Sequence, residues 1–188
     1  MSFKLIGLHG KAGCGKTTVG DYLEDSQGAI QLSFALPLKL AACELFAIPF
    51  DYFENQDLKN NKGLEWPEYT PREILQKLGT EGMRNLFGED FWIRRMKLEI
   101  DSNVYDGDLV VITDCRFQNE VDFIKDNGGI VIHLTRAGAD GNIGIQNHAS
   151  EADLDFSQFT DSNYVRVSND GTVRKLYKNL DCIVEQYI

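Results

Sequence analysis

The sequence has little that would suit a secreted or membrane protein. Its four cysteines are Cys14, Cys43, Cys115 and Cys182, and their spacings form no paired metal-ligand or redox motif. We therefore expect reduced thiols and a cytoplasmic location. No apolar run approaches the roughly 18 residues that a membrane span needs, and the first residues show no secretory signal pattern. We expect neither a signal peptide nor a membrane segment.

Positive charge is also scarce. The chain has 19 Lys and Arg against 29 Asp and Glu, a net charge of −10. A protein that binds a nucleic-acid polymer needs a basic face, so the charge balance argues against such a partner. It favours a small anionic substrate held by a few well-placed cations. No repeats or low-complexity tracts interrupt the 188 residues, which predicts one domain with a proper core.

The most informative segment is GLHGKAGCGKTT at residues 7–18. The apolar run FKLIGL (3–8) precedes it and is short enough for a buried strand. The segment that follows the motif has Val19, Tyr22 and Leu23 at helical spacing. A Gly-x-x-x-x-Gly-Lys-Thr pattern between a strand and a helix is the phosphate-binding loop, or P-loop.

Each residue type in this loop is suited to phosphate binding for a physical reason. Glycines let the backbone N–H groups surround an anion, and the helix start adds its own unpaired N–H groups. Lys16 places a cation near the β- and γ-phosphates, and the Thr17 hydroxyl can coordinate Mg²⁺. The segment predicts the following ATP-binding residues: Gly10, Ala12, Gly13, Cys14, Gly15, Lys16, Thr17 and Thr18.

The rest of the chain alternates apolar runs with helical patterns. Strands are predicted at 3–8, 29–34, 108–113, 130–136 and 164–168. After a P-loop this alternation predicts an α/β fold with a parallel five-stranded sheet flanked by helices. Ligands in this class lie at the carboxyl ends of the strands, where Asp114, Arg136 and Asn169 fall.

Three further segments carry expectations about local structure. Residues 51–69 are polar and predict an irregular surface loop. Thr70, Pro71 and Glu73 predict a capped helix start, with the helix continuing to about residue 87. The Gly-rich segment 137–150 predicts a mobile connection.

Several charged residues are candidates for phosphate or metal binding. Asp114 can reach Mg²⁺ through water or hold a substrate group, and Arg116 can pair bidentately with a phosphate. Arg136 can close over phosphates as a lid arginine. Arg72 opposes the dipole of its own helix, which suggests an anionic substrate. Helix capping or surface exposure is the alternative for each.

The aromatic and histidine candidates are weaker. Trp92 is either a base-stacking residue or part of the core, and we expect His9 and His133 to be structural.

These residues resemble those of the bacteriophage deoxynucleoside monophosphate kinases, within the P-loop nucleoside monophosphate kinase group. The resemblance spans nearly the whole chain in the family's order. It runs through GLHGKAGCGKTT, SFALPLK (33–39), TPREILQKLGTE (70–81), EDFWIRRM (89–96), VITDCRFQNE (111–120), VIHLTRAG (131–138), HASE (148–151) and VSNDGT (167–172). It implies a single P-loop kinase domain over 1–188, with a helical substrate-binding region at about 34–104 and a short lid at about 136–150.

The resemblance also implies an activity and residue roles. The enzyme would move the γ-phosphoryl group of ATP onto a deoxynucleoside monophosphate with Mg²⁺, in the host cytoplasm if the protein is viral, and a homodimer is plausible. Lys16, Arg116 and Arg136 would be catalytic, and Asn169 and Gly171 would contact the adenine. Thr17 and Asp114 would hold the metal. The implied substrate-binding residues are Lys39, Arg72, Gly79, Thr80, Trp92, Asp114, Arg116 and Glu120.

Two points stay open at this level. Family members often have Asp-Thr after the loop lysine, whereas this chain has Thr17-Thr18, so either hydroxyl can serve the metal. The alternatives to a monophosphate kinase are another small-molecule P-loop kinase, such as a dephospho-coenzyme A kinase, and a nucleotide-dependent switch that hydrolyses ATP slowly. The bases accepted and the strictness of the deoxyribose preference cannot be read from the residues.

Overall fold

The computed structural model describes residues 3–61, 68–139, 154 and 162–187. These residues form two compact units. The first contains the described residues of 3–33, 96–139, 154 and 162–187, and we call it the P-loop unit. The second contains 34–61 and 68–95, and we call it the helical unit.

The P-loop unit is built on one parallel sheet. Its strands are β1 (Lys4–His9), β2 (Ile30–Leu32), β3 (Leu109–Cys115), β4 (Ile130–Thr135) and β5 (Tyr164–Ser168). They lie in the order β2-β3-β1-β4-β5, and each neighbouring pair is parallel. The predicted five-stranded parallel sheet is confirmed. The strands are rich in Val, Ile and Leu because a parallel sheet is covered on both faces.

The helices follow the strands along the chain. They are α1 (Lys16–Gln27), α2 (Leu36–Phe46), α3 (Asp51–Glu54), α4 (Gln56–Lys59), α5 (Pro71–Gln76), a π-helical segment (Lys77–Arg84), α6 (Asn85–Phe87), α7 (Phe91–Asn103), α8 (Gln118–Asp126) and α9 (Val173–Tyr187). None of the helices in the described ranges is long and apolar enough to cross a membrane.

The main core of the P-loop unit lies between the sheet and two of these helices. α1 contributes Val19 and Leu23, and α9 contributes a stripe at helical spacing. They pack on apolar residues of β1, β3, β4 and β5. The stripe on α9 consists of Leu176, Leu180 and Ile183. Burial of this one face is what holds α9 against the sheet.

The helical unit has its own small core, and it corrects one expectation. The predicted irregular loop at 51–69 instead contains α3 and α4, and residues 62–67 lie outside the described part. Phe53 is fully buried in a cluster with Ala42, Ile48 and Ile74. The Asn55 side chain caps α4 by accepting from two backbone N–H groups. Both helices have only four residues, too short for a periodic apolar pattern.

The long helix from Pro71 to Phe87 begins as predicted. Thr70 Oγ1 accepts from the Glu73 backbone N–H, and Glu73 Oε2 accepts from the Thr70 backbone N–H. This is the predicted capping box. The middle of the helix, Lys77–Arg84, is π-helical rather than α-helical. Helical propensity does not distinguish a π-helical turn from an α-helical one. Such turns are frequent at functional sites.

Candidate active site

The P-loop lies between β1 and α1, and its glycines have backbone angles that other residues avoid. Gly10, Gly13 and Gly15 have φ of 144°, 79° and 108°. A Cβ on Gly10 would collide with the Leu134 carbonyl oxygen, and one on Gly15 would collide with the Asn169 side chain. Glycine is therefore required at Gly10 by close packing against backbone as well as by φ, and at Gly15 mainly by φ, because the Asn169 side chain can move.

Lys16, the first residue of α1, folds over this loop. Its Nζ donates to the carbonyl oxygens of Gly10 at 2.5 Å and Lys11 at 2.9 Å. Burial is the largest cause that lowers the Lys16 pKa, and the nearby Arg116 charge lowers it further. Cys14 and Asp114 act in the opposite direction. The ammonium group thus sits in a low-dielectric place where it would attract a phosphate strongly.

Asp114 lies near the carboxyl end of β3, as the sequence predicts. Its Oδ2 accepts a hydrogen bond from the Ser33 hydroxyl at 2.8 Å. The parallel, adjacent strands β1 and β3 place Asp114 and Arg116 at the same edge of the sheet as the P-loop, and the charges of both residues act on the Lys16 pKa. Ser33 follows β2 and was not identified from the sequence, although it opens the SFALPLK segment.

Arg116 follows β3, and its backbone is held by a buried carboxylate. Glu120 is 3% exposed, and its Oε2 accepts from the backbone N–H groups of Arg116 at 2.8 Å and Phe117 at 3.1 Å. The carboxylate that sequence analysis placed beside the substrate thus caps the start of α8. It fixes the turn from which the Arg116 side chain leaves.

The carboxyl ends of β4 and β5 also converge on the P-loop. Asn169 Nδ2 donates to the Cys14 carbonyl oxygen at 2.9 Å, and the Asn169 backbone N–H donates to the Thr135 carbonyl oxygen at 2.7 Å. Arg136 is exposed and lines a cavity of about 330 Å³. The same cavity is lined by Lys11 and Cys14 of the loop. Asn169 and Arg136 are therefore close to the loop, as their strand-end positions predict.

His9, at the end of β1, and His133, on β4, form a histidine pair near the charges of Lys16 and Arg116. His9 Nδ1 and His133 Nδ1 are 2.9 Å apart and share a hydrogen bond. Burial, helped by His133, Lys16 and Arg116, lowers the His9 pKa to about 3. His9 is thus neutral near pH 7, which agrees with the expectation of a structural histidine.

Residues predicted to bind the monophosphate lie mainly in the helical unit, where several are engaged by protein groups. Arg72 is 4% exposed, and its Nε donates to Asn60 Oδ1 at 2.8 Å. Trp92 is 9% exposed, and its Nε1 donates to the Gly79 carbonyl oxygen at 3.0 Å. A Cβ on Gly79 would lie 2.8 Å from Leu38 Cδ2.

The other predicted residues have fewer structural constraints. Lys39 pairs with Glu54 at 2.6 Å, and Thr80 is half-buried in the π-helical segment. Thr17 is exposed, whereas Thr18 is half-buried. Gly171 is exposed in the turn before α9. His148 and the 140–150 part of the predicted lid lie outside the described residues.

A parallel sheet of this order, a P-loop with its lysine, and charged residues at the neighbouring strand ends define a P-loop kinase fold. A solved structure described as a "putative kinase" from Chloroflexus aurantiacus supports the fold. It matches all of this chain and all of its own length with a TM-score of 0.51 at 12% identity.

Comparison with protein families narrows the class. A family model described as deoxynucleotide monophosphate kinase matches residues 46–180, more than half of the chain. A mimivirus protein named "putative deoxynucleotide monophosphate kinase" is 35% identical over 96% of this chain and 96% of its own length. The deoxynucleotide monophosphate kinase of Escherichia phage RB69 is 30% identical over 60% of this chain and 44% of its own. The match thus spans less than half of the RB69 protein.

The chain belongs to the deoxynucleotide monophosphate kinase family. The family match begins at residue 46, after the P-loop, so the loop is separate evidence for binding of a nucleoside triphosphate.

Proposed function

We propose that this protein transfers the γ-phosphoryl group of ATP to a deoxynucleoside 5′-monophosphate, giving the diphosphate and ADP. Family membership supports this reaction. The observation that carries it is that Asp114 and Arg116, at the end of β3, share one edge of the sheet with the P-loop that follows the adjacent strand β1 and carries Lys16. A cation in the P-loop and another beside it suit a reaction in which two phosphates must approach each other.

The chemistry asks the protein mainly to position groups and cancel charge. Lys16 holds the β- and γ-phosphates, Arg116 holds the acceptor phosphate, and Arg136 neutralises charge on the group being transferred. The acceptor is already largely a dianion at neutral pH, since the second pKa of a phosphate monoester is about 6. No general base is needed, and His9 would be a weak one because its pKa is lowered to about 3.

The donor set fits Mg²⁺, which takes oxygen ligands and usually keeps several waters. Asp114 offers a carboxylate and Thr17 a hydroxyl at the start of α1, with Thr18 as the alternative hydroxyl. In the described ranges, no group of three or more His, Cys, Asp or Glu side chains forms a metal cage. When bound with ATP, Mg²⁺ would neutralise charge on the phosphates.

The helical region at about 34–104 is proposed to recognise the monophosphate through Lys39, Arg72, Gly79, Thr80 and Trp92. The Asn169–Gly171 turn is proposed to meet the adenine, and the segment from about 136 to 150 to act as a lid. The proposed location is the cytoplasm, that of the host if the protein is viral, and a homodimer is the assembly to be tested. Sedimentation of the purified protein tests the assembly.

The reaction is tested by ADP release with ATP and Mg²⁺ against every deoxynucleoside and ribonucleoside monophosphate, with a no-acceptor control. Release only with certain deoxynucleotides is expected, together with the matching diphosphate. The same panel measures base and sugar selectivity. Release that ignores the acceptor would instead indicate a nucleotide switch, and activity only with dephospho-coenzyme A would indicate the other kinase class.

A further inference from the structure

The turn after β5 makes two hydrogen bonds that bracket Arg136. On one side, the Asn169 backbone N–H donates to the carbonyl oxygen of Thr135 at 2.7 Å. On the other side, the backbone N–H of Ala137 donates to Asp170 Oδ1 at 2.5 Å. Both peptide units next to Arg136 are therefore tied to the same two-residue segment, Asn169–Asp170.

The backbone beyond Arg136 is closed by a tight turn. The Ala139 N–H donates to the Arg136 carbonyl oxygen at 3.1 Å, and Gly138 has φ of 77°. Glycine at the third position of a four-residue turn is what a type II turn requires. The Thr135 and Arg136 carbonyl oxygens and the Ala137 N–H are therefore all hydrogen-bonded.

The Asp170 carboxylate is itself well held. Its Oδ2 accepts from the Ser168 hydroxyl at 2.6 Å, so each carboxylate oxygen has a donor. The Ser168 hydroxyl and then the Ala137 N–H lower the Asp170 pKa. At neutral pH the side chain is therefore ionised and acts only as an acceptor. A hydrogen bond to an ionised carboxylate is about twice as strong as a neutral one.

The same segment is attached to the P-loop. Asn169 Nδ2 donates to the Cys14 carbonyl oxygen, and Gly15 has no room for a Cβ against this side chain. Asn169 is thus hydrogen-bonded to the P-loop, while Asp170 is hydrogen-bonded to the turn that begins at Arg136. Neither the sequence pattern nor the family resemblance singled out Asp170.

We propose that Asp170 is a positioning residue that fixes Arg136 relative to the P-loop. The inference rests on the proposed function, in which Arg136 neutralises charge on the transferred phosphoryl group. In this role Asp170 acts on Arg136 through the Ala137 N–H, and the Arg136 charge is also close enough to contribute to the lowered Asp170 pKa. Without Asp170, the backbone around Arg136 keeps only the Thr135 bond as its link to the Asn169–Asp170 segment, and the guanidinium loses its fixed distance to the loop.

We call the hydrogen bond from the Ala137 N–H to the Asp170 carboxylate the clamp. Amide hydrogen exchange at Ala137 tests it without reference to activity. Asp170→Ala is expected to speed exchange at Ala137 by about tenfold. Asp170→Asn is expected to keep it slow, because the amide oxygen still accepts the bond. Asp126→Ala, which removes an exposed carboxylate at the last residue of α8, is the matched control. Unchanged exchange at Ala137 in Asp170→Ala would overturn the clamp.

Kinetics of the full-length enzyme test its role in phosphoryl transfer. Asp170→Ala should lower kcat by about tenfold while Asp170→Asn restores most of it, since small misplacements of a catalytic group cost this much. In an Arg136→Ala background, Asp170→Ala should have no further effect. An equal loss in both backgrounds would overturn the positioning role, as would full activity of Asp170→Ala. A wild-type chain with no kinase activity would refute the proposed function and the catalytic part of the inference, and Ala137 exchange would still report the clamp.

Discussion

The two units hold their cations in different ways. In the P-loop unit, Lys16 donates to carbonyl oxygens of its own loop, and Arg136 is exposed beside a cavity. In the helical unit, Arg72 and Arg84 are 4% and 6% exposed and donate to a side-chain oxygen and a backbone oxygen. A cation held by a loop can turn to a phosphate, whereas a buried, hydrogen-bonded cation also supports the fold. Substitutions should therefore separate activity from stability in the first unit and combine them in the second.

The largest effect is expected at Lys16. Lys16→Ala should lower turnover by about a thousandfold or more, because a preorganised cation at the phosphates is lost. Its stability should stay close to that of the wild type, since burial already disfavours the charge, as the lowered Lys16 pKa shows. Steady-state kinetics and thermal unfolding measure the two quantities. Lys178→Ala, on the exposed side of α9, is the control. A folded and fully active Lys16→Ala protein would contradict the role of this lysine.

Arg72 should behave in the opposite way. Arg72→Ala removes a side chain that is only 4% exposed, together with its bond to Asn60, so the free energy of unfolding should fall by about 1–3 kcal/mol through lost packing and the lost hydrogen bond. Activity toward the monophosphate should fall as well. Urea unfolding and the KM for the monophosphate give both numbers. Lost activity at unchanged stability would show that the contrast between the units is wrong.

Gly79 tests packing within the helical unit. Gly79→Ala should lower the free energy of unfolding by about 1 kcal/mol, the low end of overpacking costs, because the new Cβ would lie 2.8 Å from Cδ2 at the end of the buried Leu38 side chain. Gly82→Ala, in the same π-helical segment, is the matched control. Its Cβ would lie 3.6 Å or more from its neighbours, so no comparable loss is expected. Equal losses at the two positions would indicate a backbone effect of the π-helix rather than contact with Leu38.

The smallest effect concerns pH. Burial and Arg116 lower the Lys16 pKa, so the ammonium loses its proton at a lower pH than an ordinary lysine. The value of kcat/KM for ATP should therefore fall on the alkaline side as pH rises, since this ratio reports ionisation of the free enzyme. In Lys16→Arg, which stays charged at every accessible pH, the decline should disappear from the residual activity. A decline at the same pH in both proteins would assign it to another group.

The P-loop unit could be predicted from the sequence because its chemistry is local. Gly10 and Gly15 require unusual backbone angles, and Lys16 follows them directly, so the loop is contained in one short segment. The strand ends at Asp114, Arg136 and Asn169 follow from the rule that parallel strands present their carboxyl ends together. Asp170 was missed because its hydrogen bond to Ala137 joins residues 33 apart in the sequence.

The helical unit could be predicted less well because tertiary packing decides it. α3 and α4 are too short for periodicity to reveal, and Phe53 is their main anchor in the small core. The π-helical turn and the contact between Gly79 and Leu38 have no local sequence signature. The resemblance predicted that Arg72 and Trp92 matter, whereas their hydrogen bonds to Asn60 and Gly79 became visible only in the structure.

The central claim is transfer of the γ-phosphoryl group to a nucleotide acceptor, and labelled ATP tests it most directly. ATP labelled in the γ-phosphoryl group would be incubated with the enzyme, Mg²⁺ and a deoxynucleoside monophosphate that supports ADP release. We predict that the label appears in the β-phosphoryl group of the deoxynucleoside diphosphate and that Lys16→Ala slows this transfer by about a thousandfold or more. Label that appears only as inorganic phosphate, at a rate independent of the acceptor, would contradict the account.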